Sequence, residues 1–169
     1  MMKFYKVSYN QFKKDVEDSG FDFNEEEIKS LYDNIKLPKR ATKGSAGYDF
    51  FAPFNLEFKN KQSLRFPTGI RCEMDEDVVL LLFPRSGFGF KHRMALDNTC
   101  GVIDADYFGA ANEGHINAKM HFENDRILGL NIKTGEAFMQ GIFVKFVKTI
   151  DDESNEVRTG GFGSTTKKE

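Results

Sequence analysis

The stretch Ile116-Asn117-Ala118-Lys119-Met120-His121-Phe122 decides the fold class. Its four apolar side chains alternate with three polar ones, the period of two shown by a strand with one buried face. Outward from it the same pattern recurs, with Ile70, Cys72 and Met74 alternating with Arg71 and Glu73. Val78–Phe83 is a continuous apolar run, as expected of a strand buried on both faces. Phe143–Val147 reads as a further strand with Lys145 facing out. Turn residues punctuate these runs at Pro67-Thr68-Gly69, Asp75-Glu76-Asp77, Ser86-Gly87, Asn124-Asp125 and Thr134-Gly135. Many short strands with frequent turns predict an all-β sandwich or barrel.

The first forty residues follow a different rule. Lys3–Val7 reads as a strand, after which Ser8 is placed to cap a short helix, with Gln11 three positions on and Val7 stapled to Phe12. That helix should stop at Gly20. Asn24 and Glu27 form a capping box for a second helix, with Phe23 stapled to Ile28. Ile28, Leu31, Tyr32 and Ile35 line one apolar stripe, and Pro38 should end the helix. Between Asp15 and Asp33 there are eight acids and one base, Lys29. The preferred reading is a solvated outer helix face; the sharper one is an acidic docking surface for a protein partner.

Composition narrows the classes. A length of 169 residues fits one domain on a prior of roughly 100–200 residues per domain. A hydrophobic content of 40%, with 18 Phe, supplies a core and excludes a disordered chain. Twenty-four basic against 26 acidic residues leave a net charge of −2, so no basic field attracts nucleic acid. No apolar run approaches the ~20 residues of a membrane span, and Met1–Val7 is not followed by a signal-peptide core. Cys72 and Cys100 make no CxxC pair, which argues against a disulfide scaffold or structural zinc. His92, His115 and His121 stand at no metal-ligand spacing with a carboxylate pair, and His121 alternates outward as a surface residue. The expectation is a cytoplasmic protein without nucleic-acid or membrane partners.

Chemistry concentrates in five segments. In Gly44–Ala52 a Gly/Ser run ends in Asp49 at the start of a strand. In Phe83–Phe90, Arg85 offers a planar fork of donors suited to phosphate, and Ser86 with a Gly-Phe-Gly backbone permits close approach of an anion. In Asn98–Gly109, Asp104 follows the apolar pair Val102-Ile103, a costly place for a carboxylate unless it forms an Asx-type turn or has a role. Gly135–Gly141 is a turn entering a strand with one amide side chain, Gln140. Arg158–Thr165 has the composition of a phosphate loop but neither the GxxxxGK[ST] spacing nor room for a following helix, which excludes a Walker-type loop.

Taken in order, Ala46-Gly47-Tyr48-Asp49, Pro84-Arg85-Ser86-Gly87, Gly101 to Tyr107, Gly135 to Gln140 and Gly160 to Thr165 resemble the five motifs of the trimeric dUTP pyrophosphatase (dUTPase) family. The resemblance spans 120 of 169 positions, and Leu37-Pro38 with Ala41-Thr42 fits the family's lead-in. It implies a mainly β, jelly-roll-like barrel over residues 1–156, interrupted by a helical insertion at about 9–36. It also implies a C-terminal Gly-rich arm, 157–169, closing on a neighbouring subunit of a homotrimer. The implied reaction is hydrolysis of dUTP to dUMP and pyrophosphate, with Mg²⁺ as cofactor. By the same resemblance Asp104 is the general base, and Tyr107 packs on the deoxyribose and excludes a 2′-hydroxyl. Asn98 and Gly101, in and after the Met94–Thr99 hairpin, belong to the uracil site. Arg85, Ser86, Gly87 and Gln140 contact phosphates, and Asp49 orients a water of the Mg²⁺ shell. In the arm, Phe162 stacks over uracil beside Gly163, while Arg158, Ser164 and Thr165 grip phosphates.

The chain also departs from the pattern. Ala137 stands where a basic residue is usual, Met139 and Gly141 replace Ala and Leu, and Arg93 takes a place often held by Gly. Arg158 lies one position nearer the glycines than is common, and Ala110–His115 is extra sequence. The long segment Tyr9–Lys36 is also unusual and is similar to phage-type members. Two alternatives stand beside hydrolysis: a dUTP-switched regulatory protein whose insertion binds a partner, and a dCTP deaminase. The latter needs a Glu on the strand Ile116–Phe122, which has none.

Overall fold

The computed structural model describes residues 1–154 and Gly160. Its elements run β1 (Lys3–Lys6), α1 (Tyr9–Asp18), α2 (Glu25–Asp33), β2 (Lys39–Arg40), β3 (Tyr48–Phe51), β4 (Leu56–Lys59), β5 (Leu64–Pro67), β6 (Ile70–Glu73) and β7 (Val78–Pro84). The chain continues through α3 (Ser86–His92), β8 (Met94–Leu96), β9 (Gly101–Ile103), a 3₁₀ turn (Ala105–Gly109), β10 (Asn117–Phe122), β11 (Gly129–Ile132) and β12 (Ala137–Lys145). The division between residues 1–156 and a C-terminal arm falls outside the described residues.

The fold is mainly β, of the jelly-roll type, and all strand pairs are antiparallel. One sheet has five strands in the order β2-β3-β12-β7-β9, another has the order β5-β10-β8, and β1-β6 and β11-β4 form pairs. β10 is the strand on which the sequence reading turned. Ala118, Met120 and Phe122 face the core, while Lys119 is exposed and His121 pairs with Asp97 at 2.7 Å. Phenylalanine fills the interior: Phe12, Phe50, Phe54, Phe58, Phe66, Phe122 and Phe138 are all buried, and Phe66 meets Phe138 edge-on at 5.2 Å.

β7 differs from the expectation of a doubly buried strand. Val78, Leu80 and Leu82 are buried, whereas Val79, Leu81 and Phe83 are only half-covered, because the five-stranded sheet has one face on the core and one outward. Register places Leu81 beside Ile142 on one side and beside Val102 on the other, so the outward face carries an apolar row. β12 starts at Ala137 and ends at Lys145, leaving Val147 outside it and 95% exposed.

The two N-terminal helices form as their caps dictate. The Ser8 side chain accepts from the Gln11 N–H, and both halves of the Asn24–Glu27 capping box are present. α2 ends at Asp33, short of Pro38, because Asn34 caps it: its amide donates to the Ser30 carbonyl at 2.8 Å. Ile35 therefore leaves the helix and packs on Gly69, where any side chain would sit 2.3 Å from its Cδ1. The acidic stretch is not wholly a solvated face. Asp15 shares the buried side of α1 with Phe12 and Val16. Ser86-Gly87 is not a turn but the start of α3, whose first bonds run from the Phe88 and Gly89 N–H groups to the Arg85 carbonyl.

Candidate functional site

Two clefts hold most of the described residues singled out from the sequence. The first lies where β3, β12 and the end of β7 meet. β-Ladder register places Gln140 opposite Asp49 on one side and opposite Phe83 on the other. Beyond β7 the Arg85 N–H donates to the Phe138 carbonyl at 3.1 Å, and Arg85 Nε reaches Asp49 Oδ1 at 3.2 Å. Ala46, Gly47, Asp49, Arg85, Ser86 and Gln140 line this cleft together. Gly47 lies close under the amide, since a Cβ would come 2.5 Å from Gln140 Oε1 and turn that side chain away from its place in the cleft. Gly87 is exposed in the first turn of α3, with open space around it. A guanidinium, a hydroxyl and an amide gathered around one carboxylate suit a polyphosphate and its counter-ion.

The second cleft, of about 550 Å³, opens between sheets. β8 pairs with β10 and β9 pairs with β7, so the two strands flanking this connection belong to different sheets. Met94–Thr99 closes in a tight turn, the Thr99 N–H donating to the Leu96 carbonyl at 2.9 Å. The slot has an apolar interior of Leu82, Leu96, Ile103 and Met139, with Asn98 and Gly101 at the connection and Arg65, Lys119 and Asp97 at its mouth. Gly101 is tightly held, as a Cβ there would meet the Leu82 side chain at 3.0 Å. The shape suits a flat heterocycle. The Asp97 carboxyl titrates below the usual range. Burial raises it, but hydrogen bonds from His121, Ser63 and Lys119 outweigh that.

Asp104 follows Ile103 directly, half-buried, and opens the 3₁₀ turn that carries Tyr107. The Tyr107 N–H donates to the Asp104 carbonyl at 3.2 Å. Tyr107 is buried, with its hydroxyl donating to the His115 carbonyl at 2.9 Å and accepting from Asn112 Nδ2 at 2.8 Å. The expected site residues thus fall into a polar group (Asp49, Arg85, Ser86, Gln140) and a slot group (Asn98, Gly101). Asp104 and Tyr107 line neither cleft: Asp104 follows the slot residue Ile103 in the chain, and Tyr107 is bonded to the slot residue Asn112. Arg158, Phe162, Gly163, Ser164 and Thr165 lie outside the described residues.

Sequence reasoning missed the groups behind Tyr107. His115 is fully buried; its Nδ1 meets the Asp15 carboxylate and its Nε2 accepts from the Gly69 N–H at 2.8 Å. Asp15, Asn112 and Asn117 also line the slot. The available clue was Asp15 itself, a charge in the i+3 place of an apolar stripe between Phe12 and Val16.

A family model described as dUTPase matches residues 33–166, which include every lining residue of both clefts except Asp15. The chain belongs to the dUTPase family. A deoxyuridine 5′-triphosphate nucleotidohydrolase of Lactococcus lactis subsp. lactis is 39% identical over 145 residues, spanning 82% of this chain and 95% of that protein. The crystal structure of a dUTPase from Streptococcus mutans superimposes with a TM-score of 0.61 at 38% identity, covering 67% of this dUTPase and 88% of the other. A dUTPase from phage phi11 of S. aureus, known for a species-specific insert, shares the fold at 17% identity with a TM-score of 0.61, covering 92% and 97% of the two chains. A mutant of that phage dUTPase coordinates a structural Mg(II) ion.

Among the described residues of this dUTPase no group of three His, Cys, Asp or Glu is arranged to hold a metal. The donor set of the first cleft nevertheless fits Mg²⁺. That ion keeps most of its waters and takes one or two carboxylates together with substrate phosphates, rather than a protein cage. The first cleft offers one carboxylate, Asp49, beside Arg85 and Gln140.

Proposed function

We propose a division of labour between the two clefts in the hydrolysis of dUTP. The chain is a dUTP diphosphatase, cleaving dUTP to dUMP and pyrophosphate. The uracil enters the slot between β8 and β9, where Asn98 and the backbone around Gly101 read its edge and close packing excludes a C5 methyl. Tyr107 packs against the deoxyribose and leaves no room for a 2′-hydroxyl. Asp104, next in the chain to the slot residue Ile103, holds a water against the α-phosphorus and takes its proton as general base. Arg85, Ser86, Gly87 and Gln140 take phosphate oxygens. Mg²⁺, with Asp49 accepting from one of its waters, would neutralise triphosphate charge and favour departure of pyrophosphate.

The observation that carries this reading is the separation of the two groups on one protomer. No residue lines both clefts among those described, which supports a site completed by residues of a neighbouring subunit. The apolar row Ile142, Leu81 and Val102, with Val102 57% exposed, supports a homotrimer that covers this face. The arm 157–169 completes the site of a neighbour: Phe162 stacks on uracil beside Gly163, and Arg158, Ser164 and Thr165 hold phosphates. The deaminase alternative loses its nearest candidate base, because Glu113 is engaged by Ser8 through its N–H at 2.7 Å and its Oγ at 2.6 Å.

The test uses two inactive chains. Asp104→Asn should lower hydrolysis by ~10²–10⁴ fold while dUTP binding survives. Truncation after Glu156 should also abolish turnover. Mixed trimers refolded from both should regain activity by pairing an intact Asp104 with a donated arm. Near-normal turnover by Asp104→Asn removes the base assignment, and verified mixed trimers that stay inactive at every ratio remove the shared site.

A further inference from the structure

The segments 9–36 and 110–115 are partners of one another. Glu113 accepts from the Ser8 N–H and Oγ–H, fixing the start of α1. About two turns along α1, Asp15 reaches His115, and Gln11 Nε2 supports the carboxylate at 3.0 Å. The His115 tautomer follows from its surroundings. Nε2 accepts from the Gly69 N–H, so the proton sits on Nδ1 and is donated to Asp15. Both ring nitrogens are thereby committed, and the imidazole cannot turn without orphaning a buried donor.

What the imidazole fixes is its own backbone. The His115 carbonyl takes the Tyr107 hydroxyl at 2.9 Å and Asn117 Nδ2 at 3.2 Å, while Asn112 Nδ2 holds that hydroxyl from the other side at 2.8 Å. The turn is closed by Gly114, where a side chain would strike the Tyr107 carbonyl oxygen at 2.5 Å. A continuous path of hydrogen bonds and packed backbone therefore joins α1 to the ring proposed to face the sugar. Asp15 and Asn112 both line the slot, which puts this path along its wall.

We infer that Asp15 is a positioning residue for sugar discrimination: acting through His115, it holds Tyr107 where the ring excludes a 2′-hydroxyl. This rests on the reading of Tyr107 given above. The consequence is that the N-terminal insertion sets substrate specificity and is more than an outer addition to the β-fold.

The discriminating readout is the ratio of kcat/KM for dUTP to that for UTP, which a general loss of stability lowers equally for both substrates and leaves unchanged. Asp15→Ala removes the acceptor of the His115 Nδ1 proton, and the ratio should fall by about tenfold, the scale on which one group is discriminated by packing. Asp15→Asn, whose amide oxygen still accepts that proton, should retain most of the wild-type ratio. Tyr107→Phe cuts the path at its other end without touching α1 and should lower the ratio similarly. If the two act through one path, the double variant falls no further than the worse single one. Should Asp15→Ala fail to fold, Tyr107→Phe and Asp15→Asn carry the test. An unchanged ratio in Tyr107→Phe, an unchanged ratio in folded Asp15→Ala, or strictly additive losses overturns the inference. A wild-type enzyme that uses UTP as well as dUTP instead overturns the assignment of Tyr107 on which the inference stands.

Discussion

Gly114→Ala should be among the most damaging single-methyl additions in the molecule, and Gly20→Ala shows why. Both glycines are left-handed, with φ of +68° and +79°, so alanine costs each about 1–2 kcal/mol of backbone strain. Their surroundings differ. A Cβ at Gly20 meets nothing within 4 Å, whereas one at Gly114 lies 2.5 Å from the Tyr107 oxygen, 2.8 Å from Phe108 Cα and 3.0 Å from the Tyr107 carbonyl carbon. Those three atoms are backbone and cannot swing aside, so an overpacking term of about 1–3 kcal/mol is added. Gly114→Ala should thus lose about 2–5 kcal/mol against about 1–2 for Gly20→Ala, out of a total of roughly 5–15 kcal/mol for a domain. Urea unfolding at one fixed protomer concentration measures the difference, with an unchanged m-value as the check on comparability. Turnover of dUTP should fall at Gly114, because the displaced backbone is that of Tyr107, and stay normal at Gly20. Equal destabilisation of the two variants would refute the contact argument and leave strain alone.

Arg93 closes α3 with φ of +54°, so Arg93→Gly should stabilise the protein by about 0.5 kcal/mol once the greater chain freedom of glycine is subtracted. A lower urea midpoint for that variant would contradict this. Burial tends to raise the Asp15 carboxyl, but hydrogen bonds from His115, Gln11 and Asn117 bring it below its ordinary value. Its contribution to stability is therefore complete above the unfolded-state pKa near 3.9 and is lost as pH falls through the lower folded value. The stability gap between wild type and Asp15→Asn should be flat from pH 7 to about pH 5 and shrink below pH 4; a gap that widens in acid would reverse the sign. Burial pushes the Cys72 thiol up to about 12, whereas Cys100 is half-buried in the connection between β8 and β9. Iodoacetamide should label Cys100 alone in the native protein, more slowly with dUTP bound, and equal rates at the two thiols would disprove it.

Much of the fold was legible because short-range rules governed it. The period of two at 116–122 and the Ser8 and Asn24 caps each reported a local preference that packing then honoured. The polar cleft was legible for another reason: Asp49, Arg85 and Gln140 are residue types whose chemistry is visible wherever they stand. What escaped depended on contacts between distant segments. Nothing near Asp15 in the sequence announces His115, one hundred residues away. The half-covered side of β7 was misread because an apolar run looks alike whether its second face meets its own core or another chain. The separate sheets of β8 and β9 were hidden because sheet membership is settled by β7 and β10, not by the turn that joins them.

The clasp between α1 and the 110–115 turn also limits how such a chain can change over time. Loss of the helices alone would strip His115 of its acceptor and uncover the buried face that Phe12 and Val16 supply. Loss of the turn alone would strand the Asp15 carboxylate, and a buried ion deprived of its partner is strongly destabilising, typically by about 3–5 kcal/mol. Either deletion by itself crosses a barrier that the double deletion avoids. The two insertions, separated by more than seventy residues of sequence, are therefore expected to be inherited as one trait, gained together or shed together among relatives.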